Sequence, residues 1–166
     1  VSTVFHMAAQ PDVRLSTTDP MTDFRVNMIG GMTLLEELRK QDVKRIIFSS
    51  SGGTVYGDSQ VFPTPEATPL SPISNYGAAQ CAFEMYLTSY AELYGMSAVS
   101  MRMANIIGPR LMHGVIFDFF TKLKKDSTRL EVLGTGQQEK AYLYISDSVE
   151  AAVLFANKMK QGHLPV

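Results

Sequence analysis

Ile46, Ile47 and Phe48 form a short apolar run that stops at once in Ser49, Ser50, Ser51, Gly52 and Gly53. Such a run, closed by small polar residues and glycine, reads as a buried strand ending at a functional edge. Pro63, Pro65, Pro69 and Pro72 hold the next segment extended, because a residue before proline is steered away from helix. Ser74 then offers an N-cap, and the helix it starts carries Tyr76 in its first turn. Strand, turn and helix in one stretch point the chain towards an α/β arrangement.

The flanking segments agree. Residues 1–9 are apolar and end in small side chains, as a strand does, and residues 11–19 read as loop. Helical periodicity runs over 20–41 through Phe24, Met28, Met32, Leu35 and Leu38. A strand is expected at 43–49. The Tyr76 helix extends over 75–94, carries Tyr86, Tyr90 and Tyr94 on one face, and ends at Gly95. Residues 97–103 alternate as a strand. From His113 the character changes to an amphipathic helix over 115–125, short strands at 130–133 and 141–145, and a last helix from Asp147 to about Lys160. Two parts follow, 1–112 and 113–166.

Composition narrows the function. With 166 residues and 45% hydrophobic content, the chain can bury one good core. Its net charge is −1, from 15 basic and 16 acidic residues without a basic stripe, which argues against a nucleic-acid partner. Cys81 is single, so no disulfide framework exists, and His6, His113 and His163 are too scattered for a metal site. No apolar stretch nears the ~18 residues of a membrane span. A soluble, reducing, cytoplasmic setting is expected.

The SSSGGTVYG turn, the E-x-x-P-x-x-P loop from Glu66 and the YGAA helix start resemble the catalytic segment of extended short-chain dehydrogenases/reductases. Within these they are most similar to the NAD-dependent nucleotide-sugar epimerase/dehydratase family. The resemblance implies a partial Rossmann-type, doubly wound parallel sheet with the beginning of a smaller C-terminal substrate lobe. It implies NAD as cofactor, a nucleotide sugar as substrate, and oxidation at sugar C4 with Tyr76 taking the proton. Ser51 would hydrogen-bond the sugar oxygen, with Thr54 as the alternative. Residues 1–9 resemble the family's fourth strand, placing Met7, Ala8 and Ala9 beside the nicotinamide half of the cofactor with Ser49 and Ser50. Asn27 matches N-x-x-G-T, with Gly31 in place of Thr, and would contact the cofactor region. Asn105 and Arg110 match the family's N-x-x-G-P-R turn, and Lys140 opens K-x-Y-L-Y-I-x-D; Asn105 and Lys140 would hold the nucleotide diphosphate, with Arg110 near the same cleft as a further substrate-binding residue. A homodimer through helices 20–41 and 75–94 is expected. The family's G-x-x-G-x-x-G phosphate turn is not in these residues, Gly30 and Gly31 lying inside a helical pattern, so the resemblance implies a fragment.

One departure bears on the chemistry. The family carries Tyr-x-x-x-Lys, and here the fourth residue after Tyr76 is Gln80. Residues four apart share a helical face, so an ammonium at 80 would face the same cleft as the phenol. A phenol titrates near pH 10, leaving about one molecule in a thousand ionised at pH 7. An ammonium ~6 Å away, at an effective dielectric of ~20, favours phenolate by nearly 3 kcal/mol, or about two pKa units. Gln80 supplies hydrogen bonds and no charge. Two readings follow: an epimerase/dehydratase with a modified proton site, or a non-catalytic nucleotide-sugar-binding or assembly module on the same fold.

Overall fold

The computed structural model describes residues 1–166. Arg45–Ser51 (β2) is the centre of the larger unit, which comprises Val1–Ala104 and Glu150–Val166. It pairs in parallel with Val4–His6 (β1) on one side and with Ser97–Met103 (β3) on the other, in registers Val4↔Ile46 and Ile47↔Val99. Gly162–Pro165 (β6) adds a fourth parallel strand beside β3, giving the order β1-β2-β3-β6. Parallel strands need covered faces. Ile46 and Phe48 pack with Leu35, Phe83, Leu87 and Met96, whereas Ile47, Val99 and Met101 pack with Ala152 and Phe155. Helices therefore cover both faces, and the expected doubly wound α/β sheet is what the chain forms.

The helix Asn75–Tyr94 (α5) begins as its sequence predicts. Ser74 Oγ accepts from the Gly77 amide at 3.0 Å, and Gly95 closes the other end at φ 67° with its N–H on the Ala91 carbonyl. Residues 20–41 are not one regular helix. Pro20–Asp23 (α2) passes through a π-helical turn, Phe24–Ile29, into Gly30–Lys40 (α3). On α3, a Cβ at Gly31 would stand 2.7 Å from the ring of Phe83, which is wedged against Phe48. That contact is a physical reason for glycine where the resembled pattern has threonine.

Several local expectations are corrected. Residues 11–19 are not loop throughout: Val13–Thr18 (α1) is helical, because the Asp12 carboxylate accepts from the amides of Arg14 and Leu15. The first strand covers only Val4–His6, the part that has a partner in β2. Residues 130–133 are not a strand, since no other strand pairs with them. The last helix, Ile145–Lys158 (α7), starts before Asp147, which lies in its first turn and does not cap it. After β2 the chain makes a short helix, Gly52–Val55 (α4).

The second unit, Asn105–Val149, holds Asn105–Ile107 (β4), the helix Val115–Lys125 (α6) and Tyr142–Tyr144 (β5). β4 and β5 pair in parallel, Asn105↔Tyr142. The sequence boundary at 112/113 thus differs from the division by contacts, which begins the second unit at Asn105 and returns residues 150–166 to the first. No helix is long and apolar enough to cross a membrane.

Candidate active site

The carboxyl ends of β1 and β2, where open parallel sheets place their ligands, meet the first turns of α5. Ser51 ends β2, and its side chain lies near enough to Tyr76, half-buried in the first turn of α5, to draw down the pKa of that phenol. Burial pushes the Tyr76 phenol above its usual value; the nearby Ser51 side chain works against this, and the Asp23 carboxylate adds to it. One turn further, Gln80 is only 2% exposed, and its carbonyl oxygen Oε1 has no donor within the protein. It is therefore not a solvated surface residue. Its buried carbonyl faces a desolvation cost that only an added donor would offset.

The β1 end is clamped by a buried network. Met7, Ala8 and Ala9 lie exposed beyond His6, and Gln10 turns inward. The Gln10 amide donates to Asn27 Oδ1 at 2.9 Å, and Asn27 Nδ2 returns a bond to the Gln10 carbonyl at 3.1 Å. Asp23, 1% exposed, accepts from Gln10 Nε2 at 2.9 Å and from Asn27 Nδ2 at 3.0 Å. Burial raises the Asp23 pKa, against the pull of those two bonds. Asn27 thus holds the backbone just beyond Met7–Ala8–Ala9. His6 stacks on Phe48 at 5.6 Å and meets Phe83 edge-on at 5.4 Å; burial lowers its pKa and favours the neutral ring.

Of the remaining serines, Ser49 is half-buried, and Ser50 is buried with its hydroxyl donating to Glu84 at 2.5 Å. Thr54 donates to the Ser51 carbonyl at 3.4 Å, a local turn contact. Sequence reasoning missed Gln10, Asp23, Glu84 and Arg102. The available signals were spacing and charge: Asp23 stands four before Asn27, Glu84 four after Gln80, and Arg102 is a lone charge amid the apolar side chains of its strand.

In the second unit, Asn105 Nδ2 donates to the Ala141 carbonyl at 3.0 Å, which brings it close to the chain position of Lys140. Lys140 is exposed; Arg110 is exposed at φ 68°. No group of three or more His, Cys, Asp or Glu could hold a metal ion.

The arrangement suits the nicotinamide-ribose half of a dinucleotide. A ribose hydroxyl is the kind of donor the Gln80 carbonyl lacks within the protein, and the exposed residues Met7, Ala8 and Ala9 could line such a ligand. Fold and site define an α/β domain of the reductase type, with a serine at a strand end beside a tyrosine in the first turn of a helix. The chain belongs to the NAD dependent epimerase/dehydratase family, whose family model matches residues 1–165. A putative UDP-glucose 4-epimerase of Methanocaldococcus jannaschii is 35% identical over 161 residues, covering 95% of this chain and 52% of that protein. The structure of UDP-glucose 4-epimerase with UDP-glucose from Thermotoga maritima is 37% identical, with TM-score 0.90 over 99% of this chain and 55% of that one. The Thermus thermophilus UDP-glucose 4-epimerase complex with NAD is 35% identical, with TM-score 0.84 over 99% of this chain and 56% of that one. The chain spans about half the length of these relatives.

Proposed function

We propose that this chain carries the proton-transfer half of an NAD-dependent nucleotide-sugar epimerase or dehydratase acting at the sugar C4 hydroxyl. The observation that carries the reading is the placement of Ser51 at the end of β2 beside Tyr76 in the first turn of α5. NAD, when bound, supplies hydride acceptance and return. Tyr76 then exchanges the hydroxyl proton, and Ser51 orients the same oxygen. Gln80 and the Met7–Ala8–Ala9 segment would hold the cofactor's ribose and nicotinamide, with Asn27 fixing that segment through Gln10. Asn105, Arg110 and Lys140 would engage the nucleotide diphosphate, Lys140 as a point charge and not as a planar fork.

A second reading has its own observation. Position 80 carries no ammonium, and burial raises Tyr76 when a base at neutral pH needs the opposite. Tyr76 would then be a hydrogen-bond donor in a binding module. The complete protein, denatured after purification and examined by mass spectrometry for NAD, then assayed with UDP-glucose across pH, separates the two. Bound NAD with a rate that climbs with pH supports the enzyme. Bound NAD and nucleotide sugar without turnover at any pH supports the module.

The homodimer reading is supported by a groove of ≈ 520 Å³ whose apolar residues Phe24, Met28, Ile29, Met32 and Tyr86 are bordered by Thr33, Glu36, Glu37 and Lys40. Helices 20–41 and 75–94 both contribute to it, as pairing with a second copy would need. The setting fits a cytoplasmic protein, with Cys81 buried, free and raised to about 11 by burial.

A further inference from the structure

Glu84 and Arg102 form the most buried ion pair of the chain, and neither touches the cleft-facing atoms described above. Glu84 is 0% exposed and lies on α5 two turns beyond Tyr76, on the same face. The Arg102 side chain is 5% exposed and stands on β3 in register with Ser50. Arg102 Nη2 donates to Glu84 Oε2 at 2.7 Å, and Nε donates to both carboxylate oxygens at 3.1 and 3.2 Å. Ser50 donates to Glu84 Oε1 at 2.5 Å. The remaining arm, Nη1, donates to the Tyr56 hydroxyl at 2.8 Å and to the Glu66 carbonyl at 2.9 Å, and the guanidinium lies 5.2 Å over the Tyr56 ring.

We propose that the Glu84–Arg102 pair is a positioning pair for the reactive hydroxyls, fixing how Ser51 at the end of β2 meets Tyr76 on α5. Each tie has a named consequence. Glu84 holds α5, and with it Tyr76, against Ser50, the residue immediately before Ser51. Arg102 locks that carboxylate to β3 and reaches the segment joining Ser51 to Tyr76 in the chain at two points, Tyr56 and Glu66. The backbone gives an independent observation: a Cβ at Gly52 would stand 2.7 Å from the Arg102 carbonyl. The turn after Ser51 is therefore seated directly on the residue whose side chain holds Glu84. A buried ion pair adds little net stability over an apolar pair of similar volume. What this one supplies is geometry. Two hydroxyls on separate elements keep their mutual placement because the elements are tied within two turns of them.

The inference rests on Ser51 and Tyr76 being the reactive pair, yet it can be read without turnover. In the complete protein, 3-fluorotyrosine placed at position 76 gives one fluorine NMR signal, and it titrates at lower pH than tyrosine. Glu84→Leu with Arg102→Met removes both charges together, so no uncompensated ion is left in the core. This double variant is expected to melt close to the parent while the midpoint at position 76 rises by about half a pKa unit, as the Ser51 hydroxyl that draws it down moves away. Ser50→Ala leaves the ion pair in place and cuts only the tie to β2. It is expected to move the midpoint in the same direction by less, and it serves alone if the double variant fails to fold. Arg102→Lys, which keeps the charge and loses the fork, is expected to fall between the parent and the double variant. Midpoints unchanged in folded Ser50→Ala and double variants would overturn the proposal. A moved midpoint in a protein with no turnover would keep the positioning and remove the proposed reaction.

Discussion

Two successive turns on one face of α5 are built in opposite ways. At Glu84 a buried carboxylate meets a serine hydroxyl and an arginine fork, and its whole charge is answered within the protein. At Gln80, one turn nearer the cleft, a buried carbonyl oxygen meets nothing. Burial is similar and satisfaction is not. A folding chain gains nothing from an unpaired buried acceptor. The contrast separates a turn whose polar groups the fold itself pairs from one whose acceptor the fold leaves unpaired. In the proposed function it also divides the labour: Glu84 would hold α5 in place, and Gln80 would present a group to the cofactor.

The contrast can be broken from the Glu84 side. Glu84→Ala leaves Arg102 charged and almost fully buried, which should cost about 3–5 kcal/mol. Chemical denaturation would show it as a large fall in midpoint. A loss below about 1 kcal/mol would mean that water reaches Arg102 and that the pair is not sealed. From the other side, the sign reverses. Gln80→Met replaces the orphaned amide by an apolar side chain of similar length. It should stabilise the ligand-free protein by about 1 kcal/mol while weakening NAD binding measured by calorimetry. A destabilised variant would show that the Gln80 carbonyl has a partner in solution.

Much of this arrangement was legible in the residues. The Ser74 cap and the αL glycine at Gly95 bound α5 because both are local backbone chemistry. The amphipathic stripe located α6 at Val115–Lys125 for the same reason. What failed was non-local or too short for a period. Helix α1 has six residues and exists through one Asp12 cap, and β6 is a strand only because β3 is there to pair with it. Gln80 was legible as a departure from Tyr-x-x-x-Lys, but not as buried and unpaired. The Glu84–Arg102 pair was not legible, because its partners lie on different elements and the sequence shows each only as a charge among apolar neighbours. The Asp23–Asn27–Gln10 clamp escaped similarly: it joins a strand end to a π-helical turn that no 3.6-residue period announces.

The central claim is that Tyr76 is the proton-transfer group and that Gln80 leaves it with a phenol titrating above its ordinary value. Burial and Asp23 raise that value, so activity limited by phenolate should rise about tenfold per pH unit from neutrality towards the alkaline side. Gln80→Lys would place an ammonium one turn away and lower the midpoint by about two units, giving up to about a hundredfold at pH 7. The direct measurement is a pH–rate profile of the complete protein and its Gln80→Lys variant with NAD and UDP-glucose. The account predicts two parallel profiles, the variant's displaced to lower pH by up to about two units. Superimposable profiles would contradict it, because the rate would then not depend on the ionisation of Tyr76.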